Sequence, residues 1–181
     1  HADIPAEITT TVTVLLPTSR VGRRLNKGDL IVELDDTNFR QQLIRAEQSL
    51  SSAKSALSLL SIERDAAEQR STLANQDKVL AEAEFLRVKE AFDKGAAKQR
   101  EVDAAQQKLI SVSSFAVNAT ETANRFPARE EQASTQVTSN EADVAIAKEN
   151  VRRCKIVSPI DGVLQTIDVR VGEHVSIGKR I

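Results

Sequence analysis

The sequence has very few aromatic residues. Tryptophan, tyrosine and methionine do not occur among the 181 residues, and five phenylalanines account for the 3% aromatic content. Such a composition excludes a broad globular core built around large rings. Alanine, leucine, glutamate, glutamine, lysine and arginine in quantity instead favour long helices.

The chain has no excess of charge of either sign, and it contains little cysteine or histidine. The 25 basic and 26 acidic residues are well mixed, so the chain lacks the cationic surface and stacking aromatics with which proteins bind nucleic acid. Cys154 is the single cysteine, which excludes a disulfide framework, and we interpret it as a small buried apolar residue. His1 and His174 are far apart, and we interpret both as surface residues rather than metal ligands or catalytic groups.

No apolar run is long enough to span a bilayer, and the first residues lack the pattern of a signal sequence. The start at His1 is typical of the interior of a longer protein, and a glycine motif finishes with Ile181 itself. We therefore expect a further domain beyond this sequence in the full protein.

One pattern of glycine and apolar residues occurs twice, 150 positions apart. Val21-Gly22-x-x-Leu25-x-x-Gly28-x-x-Ile31 returns as Val171-Gly172-x-x-Val175-x-x-Gly178-x-x-Ile181. This spacing predicts a short turn leading into a strand, once in each half of a small sheet. Because neither half can bury a core alone, the two halves must pair, and the roughly 120 residues between them are an insertion.

The first part of the insertion has the heptad pattern of a coiled coil. Apolar and small residues follow alternating steps of four and three over eight heptads, and only Arg64, Ser71 and Lys78 are polar. Lys94-Gly95 then ends the predicted helix. The positions of this first seam are Phe39, Leu43, Ala46, Leu50, Ala53, Leu57, Leu60, Arg64, Ala67, Ser71, Ala74, Lys78, Ala81, Phe85, Val88 and Phe92.

A second heptad frame follows and ends before Ser158-Pro159. Folding the two frames together about Gly95 pairs every seam position with a seam position, for example Val88 with Val102. This agreement predicts one antiparallel hairpin with arms of about 57 residues, or roughly 85 Å. The positions of the second seam are Val102, Ala105, Leu109, Val112, Ala116, Ala119, Ala123, Phe126, Glu130, Ala133, Val137, Asn140, Val144, Ala147, Val151 and Cys154.

Two features of the hairpin leave alternatives open. Pro127 removes a backbone donor from the second arm, and because the heptad frame continues through it we interpret it as a kink or local unwinding. A loop between two helices is the alternative. Arg64 and Glu130 lie half a heptad apart on facing arms in this register, and they either pair across the seam or remain solvated charges.

Two motifs resemble the periplasmic adaptor, or membrane fusion, proteins of the HlyD family. Ile156-Val157-Ser158-Pro159-Ile160-Asp161-Gly162-Val163, followed by the second glycine motif, is similar to the family's second half of a split lipoyl-like domain. Leu25-Asn26-Lys27-Gly28-Asp29-Leu30-Ile31-Val32-Glu33-Leu34-Asp35 is similar to its first half. The resemblance covers essentially the whole chain.

The resemblance implies an α+β fold, a split lipoyl-like β-domain with a long antiparallel coiled-coil α-hairpin inserted between its halves. Residues 1–35 and 156–181 would form the β-domain, and residues 36–155 would form the hairpin. Gly22, Gly28, Gly162, Gly172 and Gly178 would be its structural turns.

The resemblance also implies a function without catalysis or a cofactor. The protein would be a periplasmic adaptor anchored to the inner membrane through a segment outside this sequence, closest to the long-hairpin adaptors of multidrug exporters. Its partners would be an inner-membrane transporter of the major-facilitator or ABC type and a TolC-like outer-membrane channel. Because its seam is rich in alanine and buries little apolar area, we also expect support from neighbouring copies in a trimer or hexamer.

The hairpin tip is the implied partner-binding site, with Arg87, Phe92, Gly95 and Lys98 as the candidate residues. Family members that dock on a TolC-like channel often have arginine, then leucine four positions later and serine eleven positions later. Arg87 matches the first position, whereas Ala91 and Lys98 depart from the other two.

A carrier domain of a biotin- or lipoate-dependent enzyme is the alternative function, because lipoyl-like folds also carry cofactors on a lysine. Lys27 or Lys179 would be the modified residue. The hairpin is inserted at the turn where such a lysine would be expected, which favours the adaptor.

Overall fold

A computed structural model describes residues 3–16 and 21–181, so His1 lies outside the described residues. In chain order the elements are β1 (Thr10–Leu15), β2 (Arg24–Leu25), β3 (Leu30–Leu34), α1 (Thr37–Asp93), α2 (Gln99–Asn124), α3 (Phe126–Arg153), β4 (Lys155–Val157), β5 (Gly162–Val163) and β6 (His174–Val175). The chain divides into two compact units. The β unit comprises residues 1–51 and 138–181, and the hairpin unit comprises residues 52–137.

The β unit is built from both ends of the chain. Its four-stranded sheet has the order β4-β3-β1-β6, and β2 pairs with β5 in a two-stranded sheet. All of these pairs are antiparallel, and three of them, β1 with β6, β2 with β5 and β3 with β4, join the two halves. The predicted pairing of the halves is therefore confirmed.

The two glycine motifs have the same local structure and are hydrogen-bonded in the same way. Gly22 donates its backbone N–H to Leu164 O and Gly172 donates to Val12 O, each at 2.8 Å. The second glycines repeat the arrangement, because Gly28 donates to Ser158 O and Gly178 to Ala6 O, again at 2.8 Å. Each motif thus bonds to a segment of the opposite half of the chain, which explains why neither half is a domain alone.

The backbone conformation, rather than lack of space, accounts for these glycines. Gly28 and Gly178 have φ values of 93° and 85°, in the region that side chains with a Cβ rarely adopt. A Cβ added at either residue would meet no atom within 4 Å. The two glycine motifs therefore have the same turn conformation in both halves of the β unit.

The core of the β unit consists mainly of branched aliphatic side chains. Its largest fully buried side chains are Val12, Ile31, Val32, Val175 and Cys154. The Cys154 thiol is 1% exposed, donates to Asn150 O at 3.3 Å, and has its pKa raised by burial to about 11. This confirms the interpretation of Cys154 as a buried small residue, and His174 is exposed on β6 as expected.

Residues of both predicted seams are buried or half-buried along the helices, apart from Phe92, which is 38% exposed. In the hairpin unit the buried seam residues include Ala67, Ala74, Ala81 and Ala116. Such small side chains let two helix backbones approach closely. The coiled-coil frames read from the sequence are therefore confirmed.

Contacts between the arms show that they are antiparallel. In the hairpin unit, Arg64 Nη1 lies 2.8 Å from Glu130 Oε2, and the hydroxyls of Ser71 and Thr120 lie 3.0 Å apart. The contact residue with the higher number in the first arm has the partner with the lower number in the second arm, as an antiparallel pair requires. The cross-seam ion pair, one of two alternatives from the sequence, is thus the one that forms.

The second arm is interrupted at a single residue. Arg125, between α2 and α3, keeps helical angles of φ −82° and ψ −19°, and Phe126 after it is buried in the seam. Pro127 is the second residue of α3, where the missing N–H breaks no helical bond. The interpretation as a local break within one continuous arm is confirmed.

Candidate partner-binding site at the hairpin turn

The turn between the arms is a tight helix ending built around Gly95. Gly95 has φ 77°, its N–H donates to Phe92 O at 2.8 Å, and the Ala96 N–H donates to Ala91 O at 2.8 Å. These two bonds form a Schellman motif, which satisfies carbonyls at the end of α1 and requires the left-handed conformation that glycine adopts.

The start of α2 is capped from within the helix. The Glu101 carboxylate accepts a hydrogen bond from the Lys98 N–H at 3.1 Å, and the Glu101 N–H donates to Lys98 O at 2.9 Å. α2 therefore begins after Lys98 without a serine at the N-cap position. The Lys98 side chain is left exposed.

The four candidate tip residues fall into two groups. Phe92, Gly95 and Lys98 flank the turn itself, and Phe92 is 38% exposed. Arg87 lies more than one helical turn before the end of α1, is well exposed, and pairs with Glu84 at 3.0 Å. The tip thus presents one aromatic ring and two cations to solvent.

The serine and the aspartate of the motif at residues 156–163 have structural roles in the β unit. The buried Ser158 donates its hydroxyl to Ile160 O at 2.7 Å, and Asp161 Oδ1 accepts the Lys27 N–H at 2.6 Å. Gly162 lies in strand β5 opposite Leu25, and it is not among the positive-φ glycines. The motif therefore holds the turn of the first glycine motif against the second half of the chain.

The two lysines considered for cofactor attachment lie at the second turns of the two motifs. The ammonium of Lys179 forms an ion pair with Glu173. This contact and a hydrogen bond from the Arg170 N–H lower the pKa of the Glu173 carboxyl. Lys27 is exposed and is held through its backbone by Asp161.

Solved structures with the same architecture were found by comparison. MacA from Actinobacillus actinomycetemcomitans aligns over 97% of this chain and 45% of its own, with a TM-score of 0.61 and 22% identity. A MacA-MexA chimera containing the Pseudomonas aeruginosa MexA α-hairpin domain aligns over 99% of this chain and 44% of its own, with a TM-score of 0.51 and 19% identity. A Bacteroides eggerthii protein described as an efflux transporter aligns over 99% and 37%, with a TM-score of 0.52 and 14% identity.

The chain has the membrane-fusion adaptor fold. The resemblance predicted from the motifs is confirmed at the level of fold, and the chain spans less than half the length of each of these proteins. No protein-family model matches the sequence, and no curated protein matches it either.

Sequence reasoning missed one set of residues in this adaptor fold. Large apolar side chains are exposed on the outside of the hairpin unit, while alanines occupy the most deeply buried positions of its seam. The signal was present, because Leu59, Leu73 and Leu80 each precede a seam position by one residue. The exposed set comprises Leu59, Ile62, Leu73, Val79, Leu80, Leu86, Ile110, Phe115 and Val117.

Across residues 3–16 and 21–181, no helix combines the length and apolar character that crossing a membrane requires. In the same part of the chain, no three histidine, cysteine, aspartate or glutamate residues are grouped as metal ligands.

Proposed function

We propose that the chain is the hairpin-bearing part of a periplasmic adaptor that links an inner-membrane transporter to an outer-membrane channel during export. The observation that carries this proposal is the shared architecture. A β unit split by a long α-hairpin aligns with MacA over 97% of the chain. The adaptor would act through shape and assembly and would catalyse no reaction.

The proposed partners follow from the adaptor architecture. The transporter would be of the major-facilitator or ABC type, the channel would be TolC-like, and the protein would work in the periplasm while anchored to the inner membrane. We propose the hairpin turn as the surface that meets the channel or the tip of another adaptor. Its support is local: a rigid Schellman turn at Gly95 presents Phe92 and Lys98 to solvent, with Arg87 nearby.

Self-association is the second part of the proposal. The hairpin unit buries mostly alanine in its seam and exposes larger apolar residues outside it. Since apolar burial contributes about 25 cal/mol per Å², an isolated hairpin of this kind gains little from its seam. Neighbouring copies in a trimer or hexamer would supply the missing burial.

The test of tip docking is a triple variant, Arg87→Ala, Phe92→Ala and Lys98→Ala, in the full-length protein. Export of the transporter's substrate is measured in cells that lack the native gene. We expect export to fall on the order of tenfold or more, because the contact surface is lost while the Gly95 turn is retained.

The matched control is Ile44→Ala, Arg45→Ala and Lys155→Ala, which removes one exposed apolar side chain and two exposed cations from the β unit. Both triple variants should show unchanged circular dichroism and thermal unfolding. Full export by the tip variant, or an equal loss in the control, would contradict tip docking.

A further inference from the structure

Eight of the nine exposed apolar side chains named above form two groups on opposite sides of the paired helices, and Ile62 belongs to neither group. The first group, the Phe115 side, is marked by a hollow of about 200 Å³ that Ala67, Arg70, Phe115, Asn118, Ala119 and Thr122 line. Leu73 follows Arg70 by three residues and Leu80 follows Leu73 by seven, so helical periodicity places both on this side. Leu59 has the same heptad position.

The second group, the Val79 side, is marked by a hydrogen bond across the other edge of the seam. Asn75 Nδ2 donates to Thr120 Oγ1 at 3.2 Å. Val79 follows Asn75 by four residues and Val117 precedes Thr120 by three, so both lie on this side. Leu86 and Ile110, seven residues from Val79 and Val117, complete the group.

All eight side chains are strongly exposed, from 52% for Val117 to 69% for Leu80. Their seven-residue spacing keeps each group in a line along the hairpin, as the seam residues are kept. A soluble helix pair normally places its large apolar residues in the seam and its small or polar residues outside. In the hairpin unit eight large apolar residues lie outside the seam, and the most deeply buried seam positions are mainly alanines, which indicates that both sides are covered when the protein is assembled.

The two sides of the hairpin unit differ in net charge. On the Phe115 side of the hairpin unit, heptad position assigns five basic residues (Arg70, Arg87, Lys108, Arg125, Arg129) and four acidic ones (Glu63, Asp77, Glu84, Glu101). On the Val79 side it assigns six acidic residues (Asp65, Glu68, Glu82, Asp93, Asp103, Glu131) and two basic ones (Lys54, Lys89). Five basic against four acidic residues give the Phe115 side a net charge of +1, and two against six give the Val79 side a net charge of −4. Contact between like sides would bring two acidic Val79 sides together, whereas contact between unlike sides avoids this repulsion.

We propose that copies of this chain associate through unlike sides, with the Phe115 side of one hairpin packed against the Val79 side of the next. Such a heterologous contact leaves one side of each copy open and so continues from copy to copy until a ring closes. The biological use of this assembly rests on the proposed adaptor function. The contact itself extends the self-association proposed above, because it assigns the surfaces that meet.

The heights of the apolar residues along the hairpin fit this contact without a shift. Because Ser71 lies opposite Thr120, Leu73 is level with Val117 to within about one residue, and Leu80 is equally level with Ile110. Copies related by rotation about an axis parallel to the hairpin therefore place Leu73 of one copy beside Val117 of the next. Lys108 and Glu82 are matched in height in the same way and carry opposite charges.

The hollow on the Phe115 side provides a place for a side chain of the neighbour. Ala67, Ala119 and Phe115 are its apolar lining residues. Apolar cavities of about 150 Å³ admit benzene, so this hollow has room for an aliphatic side chain such as valine.

Cysteine cross-linking of the purified chain distinguishes the two modes of contact. In a Cys154→Ala background, Leu73→Cys and Val117→Cys proteins are oxidised separately and as a mixture. We expect disulfide-linked dimers in the mixture at a yield on the order of tenfold above either protein alone. The double variant Leu73→Cys with Val117→Cys should form a ladder of larger oligomers.

The matched control is Ile62→Cys, which is 63% exposed on the outer ridge of α1, away from both sides. Leu73→Cys alone cross-linking as well as the mixture would overturn the proposal in favour of contact between like sides. A mixture yield no higher than that of Ile62→Cys would overturn lateral association altogether.

Charge reversal gives an independent measurement. Lys108→Glu or Glu82→Lys alone should lower the mixture yield several-fold at low salt, and the two together should restore it. No loss in the single variants would count against the assigned faces. Because these yields are measured on purified protein, they succeed or fail separately from the export assay of the tip variants.

Discussion

The β unit and the hairpin unit bury opposite kinds of side chain. In the β unit, Val12, Ile31, Val32 and Val175 are at most 2% exposed. In the hairpin unit the deepest positions are alanines, and leucines such as Leu73 and Leu80 lie outside. The β unit is thus completed by its own two halves, whereas the hairpin unit leaves several large apolar side chains exposed. This difference fits the proposed association of the hairpin with neighbouring copies.

The largest effect is expected from the core of the β unit. Ile31→Ala should reduce its stability by about 2–5 kcal/mol, because a fully buried side chain is lost and a cavity is left. Cys154 belongs to the same core, and burial raises the pKa of its thiol, so we expect it to react slowly while the β unit is folded. The rate of Cys154 alkylation in increasing denaturant therefore measures how readily this unit opens. Ile177→Ala, at a site 70% exposed, is the control. Equal losses in both variants would show that the core is elsewhere.

A smaller effect is expected from filling the seam of the hairpin unit. Ala74→Leu places a large side chain where Ala74 is 1% exposed, and the separation of the arms should cost about 1–3 kcal/mol. Thermal unfolding followed by far-ultraviolet circular dichroism measures the change. Ala83→Leu makes the same substitution at an exposed helical position and should be nearly neutral. If Ala74→Leu were stabilising, the close approach of the arms would be wrong.

Glycine turns in the β unit should show a comparable or slightly smaller effect. Gly172→Ala forces alanine to φ 85° and should cost about 1–2 kcal/mol, entirely through the backbone because the added Cβ meets no atom within 4 Å. Gly162→Ala is the matched control, since its φ lies outside the region that side chains rarely adopt and space is again open. The Cys154 alkylation rate reports both, and similar rates in the two variants would refute the backbone explanation.

The smallest effect is expected from the charged pair in the seam. Arg64 and Glu130 have side chains 33% and 20% exposed, and their coupling in a double-mutant cycle should be about 0–1 kcal/mol. The cycle uses Arg64→Ala, Glu130→Ala and both together, with thermal unfolding as the measurement. A coupling of several kcal/mol would mean that this pair, rather than the alanine seam, fixes the arms.

Most of the fold could be predicted from the sequence because its signals are periodic. The heptad frames located the seams, and the two glycine motifs located the turns at Gly22, Gly28, Gly172 and Gly178. The second arm is interrupted only briefly near Pro127, because proline is tolerated in the first turn of a helix. The sequence alone left open whether Pro127 would kink one helix or separate two helices. The outer apolar residues were missed because an alanine-rich frame satisfies the pattern of a coiled coil by itself. Whether the tip residues bind a partner stays a prediction, since their roles depend on another chain.

The joining of the two halves across the insertion has a consequence for the order of folding. Bonds such as Gly172 N–H to Val12 O close a loop of roughly 160 residues, so in an unstructured chain they would form slowly. The contacts of the hairpin turn are local, and helices elongate within microseconds. We therefore expect the arms to zip from Gly95 first and to bring the two halves of the β unit together. On this order of events, the insertion would be the folding nucleus, and the domain that it interrupts would be the last part to fold.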